Sequence, residues 1–182
     1  MKYTIYTDGS AFGINDGKGA TKETPAGWGL VVVKGPNGTG PNHDEGTVVE
    51  EQSGRVITDP NHPLWIGADI GSNNTGELSA IYYALEWALH HARQTTTDVT
   101  MTNMSASKYE GKVTIYSDSN YALNMVFGNW NPSTNKKLIQ EIRSFADYVG
   151  RFITIEHSHI RAHSGFKWNE VADRLADKGA RS

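Results

Sequence analysis

Polar and apolar residues alternate along KYTIYTD (2–8), which puts Lys2, Thr4, Tyr6 and Asp8 on one face of a strand and Tyr3, Ile5 and Thr7 on the other. Gly9-Ser10 is expected to end it. After a polar, Gly-rich stretch (13–27), GWGLVVVK predicts a second strand, and Thr47 to Ile57 a third within a long loop rich in Gly, Asn and Pro. From Gly76 to about Arg93 the apolar residues Leu78, Ile81, Tyr82, Leu85 and Leu89 recur at helical spacing. Residues 94–111 have no period and read as a surface loop; VTIYSD (113–118) is the next strand. Helices are predicted from Asn120 to about Phe127 and from Lys136 to Val149, parted by the breaker NWNPSTN. FITIEHSHI (152–160) is a strand with Ile153, Ile155 and His157 opposite Phe152, Thr154, Glu156 and Ser158. A last helix, from near Asn169, turns Val171, Ala172, Leu175 and Ala176 toward the core. This order predicts one mixed α/β sheet with helices packed on it, a single domain over 1–182.

One local repeat sharpens that picture. TIYTDGS begins at Thr4 and TIYSDSN at Thr114, so two strands of matched sequence each end in an aspartate. In open α/β sheets the functional crevice lies at the carboxyl ends of such strands.

Composition narrows the chemistry. The chain has 182 residues, 37% of them hydrophobic and 20% charged, and no cysteine, so thiolate nucleophiles and Cys-ligated metals are excluded. Metal ligands must be oxygen or imidazole. No apolar run approaches the roughly 18 residues of a membrane span, and MKYTIYTDGS lacks a signal peptide's basic end and apolar stretch. A cytoplasmic protein is expected. The net charge is −3, with 8 Lys+Arg against 14 Asp+Glu in residues 1–131 and 9 against 6 in 132–182. The carboxyl-terminal part is therefore the one suited to face a polyanion.

Four acids stand where strands end or helices begin, each with a plain structural alternative. Asp8-Gly9 also reads as a turn, Asp118 as a helix cap, Glu77 as the partner of Asn74 in a capping box, and Asp173 as a solvated acid beside an apolar stripe. Gathered in one crevice, four carboxylates repel and take up protons unless cations are present. Two divalent ions cancel their charge, and oxygen-only ligands select Mg²⁺ or Mn²⁺. Such a pair suits phosphodiester cleavage. His163, in a Ser-Gly loop ten residues before Asp173, is a candidate proton shuttle or a plain surface histidine. His157 and His159 read as structural, and His90-His91 as closing a helix. The like-charged Asp173/Asp177 pair at i,i+4 favours a nearby cation.

Taken together, YTDGS around Asp8, NNTGELSAIYYALEWAL around Glu77, IYSDSNYAL around Asp118 and HSGFKWNEVADRLADKGA from His163 through Asp173 resemble type 1 ribonuclease H, over nearly the whole chain. The resemblance implies a ribonuclease H-like α/β fold, a five-stranded mixed β-sheet flanked by α-helices. It implies a monomeric endonuclease that cuts the RNA strand of RNA–DNA hybrids and leaves 5′-phosphate and 3′-hydroxyl ends. Asp8, Glu77, Asp118 and Asp173 would bind two Mg²⁺ ions, with His163 assisting proton transfer or product departure. Asn73, Asn74 and Asn120 match positions near the hybrid's minor groove, where amides can meet the 2′-OH. Gly9 and Ser10 would bring backbone close to the substrate. Asn169 matches a family asparagine near the active site and equally suits an N-cap. The chain departs from many bacterial members in having only NWNPSTNKK where they carry a basic protrusion, so Lys136, Lys137, Arg161 and Lys167 are expected to supply the phosphate contacts. Segments 13–24, 36–66 and 94–111 are longer than a minimal member needs. Two alternatives remain: a hybrid-binding module of this fold that does not cut, and a related nuclease such as a junction resolvase or the corresponding part of a reverse transcriptase. All four acids being present argues against the first. The Asn run near Glu77 and HSG before the last acid argue against a resolvase, and a chain that starts with Met and completes a domain argues against a polyprotein fragment.

Overall fold

The computed structural model describes residues 2–13, 19–35, 44–97 and 109–182. Parts of the three long segments, 14–18, 36–43 and 98–108, lie outside the described residues. In chain order the elements are β1 (Lys2–Ala11), β2 (Ala26–Lys34), β3 (Thr47–Arg55), α1 (Asn73–Thr97), β4 (Tyr109–Ser117), α2 (Asn120–Val126), α3 (Lys136–Val149), β5 (Ile153–His159) and α4 (Lys167–Arg181). They build one five-stranded sheet of order β3-β2-β1-β4-β5. β1 pairs antiparallel with β2 and parallel with β4, and β4 pairs parallel with β5, so the mixed sheet predicted from the element order is the one found.

β1 and β4 lie at the centre, and their repeated sequences align residue for residue, from Thr4 beside Thr114 to Thr7 beside Ser117. The rings of Tyr6 and Tyr116 stack at 5.2 Å, and the Thr7 hydroxyl donates to the Tyr116 carbonyl at 2.9 Å. Asp8 and Asp118, next in each repeat, are thereby carried to the same end of the sheet.

The alternation along β1 separates two cores. Tyr3 and Ile5 join Leu78, Ile81 and Leu85 of α1, with Leu138, Ile139 and Ile142 of α3. Tyr6 instead joins Val31, Val33, Ile160, Trp168 and Ala172, the last two from α4. Burying a side chain the size of Leu78 or Leu85 stabilises the fold by roughly 1.5–3 kcal/mol, so the larger core dominates. Across it, Trp28 of β2 stacks on Tyr83 of α1 at 4.0 Å.

Several boundaries differ from the pattern-based expectation. β1 does not stop at Gly9, because Gly9, Ser10 and Ala11 continue in register opposite Trp28, Gly27 and Ala26 of β2. α1 begins at Asn73 and reaches Thr97, so His90 and His91 lie inside it and do not close it. The His91 ring, stacked on Trp87 at 5.0 Å and edge-on to Tyr3 at 4.5 Å, is packed as an aromatic. Residues 94–97 and 109–111, expected in a loop, belong to α1 and β4. α4 starts at Lys167, two residues before Asn169.

Candidate active site

Each acid's structural alternative fails for a local reason. At the start of α1 the reciprocal cap is made by Ser72 and Thr75: the Thr75 amide donates to Ser72 Oγ at 3.0 Å, and the Ser72 amide to Thr75 Oγ1 at 2.9 Å. Glu77 is thus not consumed by capping. At the start of α2, Ser119 is the N-cap, accepting from the Ala122 amide at 3.0 Å, which releases Asp118. Asp8 sits within β1 opposite Gly29, in a ladder and not a turn. Asn169 does not cap α4 either; Phe166 stands at that position and Asn169 is inside the helix, 4% exposed.

The released carboxylates converge. One ligand oxygen from each of Asp8, Glu77 and Asp118 lies within 4.8 Å of the others. Asp173 on α4 is the fourth, a hydrogen-bond partner of Asp8 and close enough to Asp118 for its charge to be felt. Asp173 is half-buried, so the solvated-acid alternative also fails. Two glycines permit this approach. A Cβ on Gly9 would lie 2.2 Å from the Glu77 amide nitrogen, and one on Gly29 would lie 2.4 Å from the Ala176 amide nitrogen. α1 and α4 can therefore press against β1 and β2 from opposite faces and bring Glu77 and Asp173 to Asp8.

Crowding and burial fix the protonation. Desolvation pushes the Asp8 carboxyl up to about 7, with Asp118 and Asp173 adding to the rise and hydrogen bonds from Glu77 and the Gly9 amide opposing it. Burial raises Glu77 well above the ordinary range, and the charges of Asp8 and Asp118 push the same way. Asp118 is also raised by burial, against hydrogen bonds from Glu77 and Asn169. Burial and like charge thus favour the protonated carboxyls unless a cation offsets them. Glu77 Oε2 and Asn169 Oδ1 are buried without a hydrogen-bond partner, an arrangement that costs stability unless something else completes them. The donor set is all oxygen, mostly anionic and partly dry, and it fits a hard divalent cation.

The remaining expected residues surround this cluster. Asn73 and Asn74 are exposed at the start of α1, and Asn120 at the start of α2. The Gly9 amide donates to Asp8 Oδ1 at 2.8 Å, so its hydrogen is already engaged with an acid. Ser10 is buried, and its hydroxyl donates to the Asp177 carboxylate. His163 lies in an exposed turn with φ 51, near enough for its charge to act on Asp118. Lys136, Lys137, Arg161 and Lys167 are exposed, although Lys137 also reaches Glu141 at 3.8 Å and the Trp65 ring at 5.6 Å.

Two contacts were not foreseen from the sequence. His159 Nε2 lies 3.0 Å from the Asp118 carbonyl oxygen and anchors the backbone that presents the acid. Asp177 joins α4 to β1 through Ser10; only its i,i+4 spacing from Asp173 hinted that it belonged beside the site.

Comparison with known proteins places this geometry. The RNase H family matches residues 1–181. Ribonuclease H1 of Rattus norvegicus is 30% identical over 135 residues, which cover 69% of this chain and 42% of that protein. The chain thus spans less than half the length of that relative. Among solved structures, RNase H1 from the halophilic archaeon Halobacterium salinarum NRC-1 is similar with a TM-score of 0.62 and 19% identity, over 100% of this chain and 98% of that one. LC11-RNase H1 in complex with RNA/DNA hybrid gives 0.52 and 19%, over 99% of each chain. At these identities the structural likeness speaks for the fold.

Proposed function

The chain belongs to the RNase H family, and from that premise we propose that it is a single-domain, metal-dependent endonuclease that hydrolyses the RNA strand of RNA–DNA hybrids. The observation that carries this reading is the gathering of Asp8, Glu77 and Asp118 within 4.8 Å, with Asp173 beside them, at the carboxyl end of two matched strands. Asp8, Glu77, Asp118 and Asp173 would hold two Mg²⁺ ions. When bound, the ions supply Lewis-acid activation of water and charge stabilisation at the scissile phosphate.

The residues of the chain do the rest. Asn169 orients the Asp118 carboxylate by its hydrogen bond, and His159 holds the backbone beneath it. His163 carries a proton to the departing O3′ oxygen, and its place in an exposed turn suits a group that must meet and leave the substrate. Asn73, Asn74 and Asn120 present amides at two helix starts beside the acids, where each can donate to and accept from a 2′-OH. Gly9 and Ser10 bring backbone to the substrate, and Ser10's own hydroxyl stays with Asp177. Cleavage leaves 5′-phosphate and 3′-hydroxyl ends. Action as a monomer belongs to this reading through the likeness to type 1 members, and so does a cytoplasmic location. Among the described residues no helix is long and apolar enough to cross a membrane.

The test is cleavage of an end-labelled RNA strand annealed to DNA, with Mg²⁺ and with chelator, beside double-stranded RNA and DNA of the same sequence. Metal-dependent cutting of the hybrid's RNA alone is expected. Binding without cutting points to a non-catalytic module, and cutting of a DNA duplex or junction to a resolvase-like nuclease.

A further inference from the structure

The basic residues of α4 are not scattered. At about 100° per residue, Lys167, Arg174, Lys178 and Arg181 fall in a strip only about 60° wide. Trp168, Ala172, Ala176 and Gly179 occupy the opposite, buried face. Asp173 and Asp177 lie on the flank turned toward β1, where one meets Asp8 and the other Ser10. α4 therefore sorts its charges: acids toward the catalytic cluster, cations outward and alongside it. Two acids border the strip, Glu170 and Asp177, and the second is engaged by the Ser10 hydroxyl.

The strip extends beyond the helix at its carboxyl end. The Arg181 guanidinium lies over the Phe12 ring, 4.3 Å from its centroid, and Phe12 directly follows β1, the strand that bears Asp8. Arg55, the last residue of β3, donates to the Ser182 carbonyl at 3.1 Å. Arg174, Lys178, Arg181 and Ser182, with Asp177, line an open cavity of about 580 Å³. Arg55, Lys167, Arg174, Lys178 and Arg181 are all exposed, and none has an acid within ion-pair distance among the described residues.

We propose that Lys167, Arg174, Lys178, Arg181 and Arg55 form a track for the phosphate backbone of the hybrid, carrying one arm of the duplex past the acidic cluster toward the β3 edge of the sheet. The proposal rests on the functional reading above. A polyanion entering a crevice of four carboxylates is repelled, and binding requires positive charge close by but outside the metal site. Unpaired cations spaced along a line match a repeating phosphate chain better than an acidic peptide patch. From Lys167 to Arg181 the strip is about 20 Å long, the span of about six phosphates on one strand.

The test is fluorescence anisotropy of a labelled RNA–DNA hybrid of about 25 base pairs over a salt series in chelator, where no cleavage interferes. The triple variant Arg174→Gln/Lys178→Gln/Arg181→Gln is expected to bind about tenfold or more weakly at about 0.1 M salt, and to lower the slope of log Kd against log salt by about 2–3. Arg174→Lys/Arg181→Lys should keep the wild-type slope. Arg174→Gln/Lys178→Gln, which leaves the Phe12 contact intact, should lower it by about 2. A wild-type slope in the triple variant overturns the track, and so does a lysine variant as weak as the glutamine one. A wild type that neither binds nor cuts the hybrid overturns the functional reading and the track together. A wild type that cuts the hybrid while the variants keep its slope overturns the track alone.

Discussion

The core beneath α1 and the crevice at its first turn are built from neighbouring residues of the same elements by opposite rules. In the core, Ile5, Leu78, Ile81, Leu85 and Ile115 are fully buried and apolar, and each removes surface from water without leaving a polar group stranded. In the crevice, Asp8 and Glu77 are almost as deeply buried, at 4% and 8% exposure, yet they crowd like charges together and leave Glu77 Oε2 without a partner. The core is complete in itself. The crevice is not, and its energetic cost makes sense only if a cation completes it.

The difference can be broken or sharpened by experiment, beginning with the largest effect. Asp118→Asn keeps the shape of the side chain and removes the charge that would hold metal. Cleavage should fall at least about a thousandfold while circular dichroism and hybrid binding stay close to wild type; full activity would sink the metal assignment. In the core, Leu85→Ala should cost about 2–5 kcal/mol in denaturant unfolding, and a cost below about 1 kcal/mol would mean that the larger core is not what holds α1 to the sheet.

A smaller effect follows from protonation. Asp8, Glu77 and Asp118 all have raised values in the folded protein, about 7 for Asp8. An acid of this kind contributes its full stability below its unfolded value of about 4, and the contribution is lost as pH rises through the folded value. In chelator, the protein should therefore lose about 1 kcal/mol or more between pH 4 and pH 8, read from urea midpoints; a gain would reverse the account of the crevice. Least of all, His163→Ala should slow turnover by about ten- to a hundredfold without abolishing it. A loss as complete as that of Asp118→Asn would give His163 a larger role than moving a proton.

How much of this was legible in the sequence differs by residue. The repeat TIYTDGS/TIYSDSN was visible, and the parallel register of β1 and β4 turned it into geometry. The helix pattern of α3 was found at its full extent, Lys136 to Val149, because its apolar stripe is regular and NWNPSTN marks its approach. The end of β1 lies beyond the Gly9 that the sequence suggests, since an Asp-Gly pair is a turn signal until a partner strand lies in register with it, as β2 does here. The capping alternatives for Glu77 and Asp118 could not be dismissed from spacing alone. Ser72, Thr75 and Ser119 are equally good caps on paper, and only the backbone geometry decided between hydroxyl and carboxylate. The Ser10–Asp177 and His159–Asp118 contacts join residues 167 and 41 positions apart, beyond the reach of any local pattern.

The most direct test of the central claim, that the crevice is an incomplete cation site, is thermal unfolding at pH 8 of the wild type and of Asp8→Asn, each with chelator and with Mg²⁺. In chelator, Asp8→Asn should unfold at a higher temperature than the wild type, because it has lost one repelling charge. Magnesium should raise the wild-type midpoint and leave that of Asp8→Asn nearly unchanged. A wild type indifferent to magnesium, or an Asp8→Asn variant that is less stable in chelator, would contradict the claim.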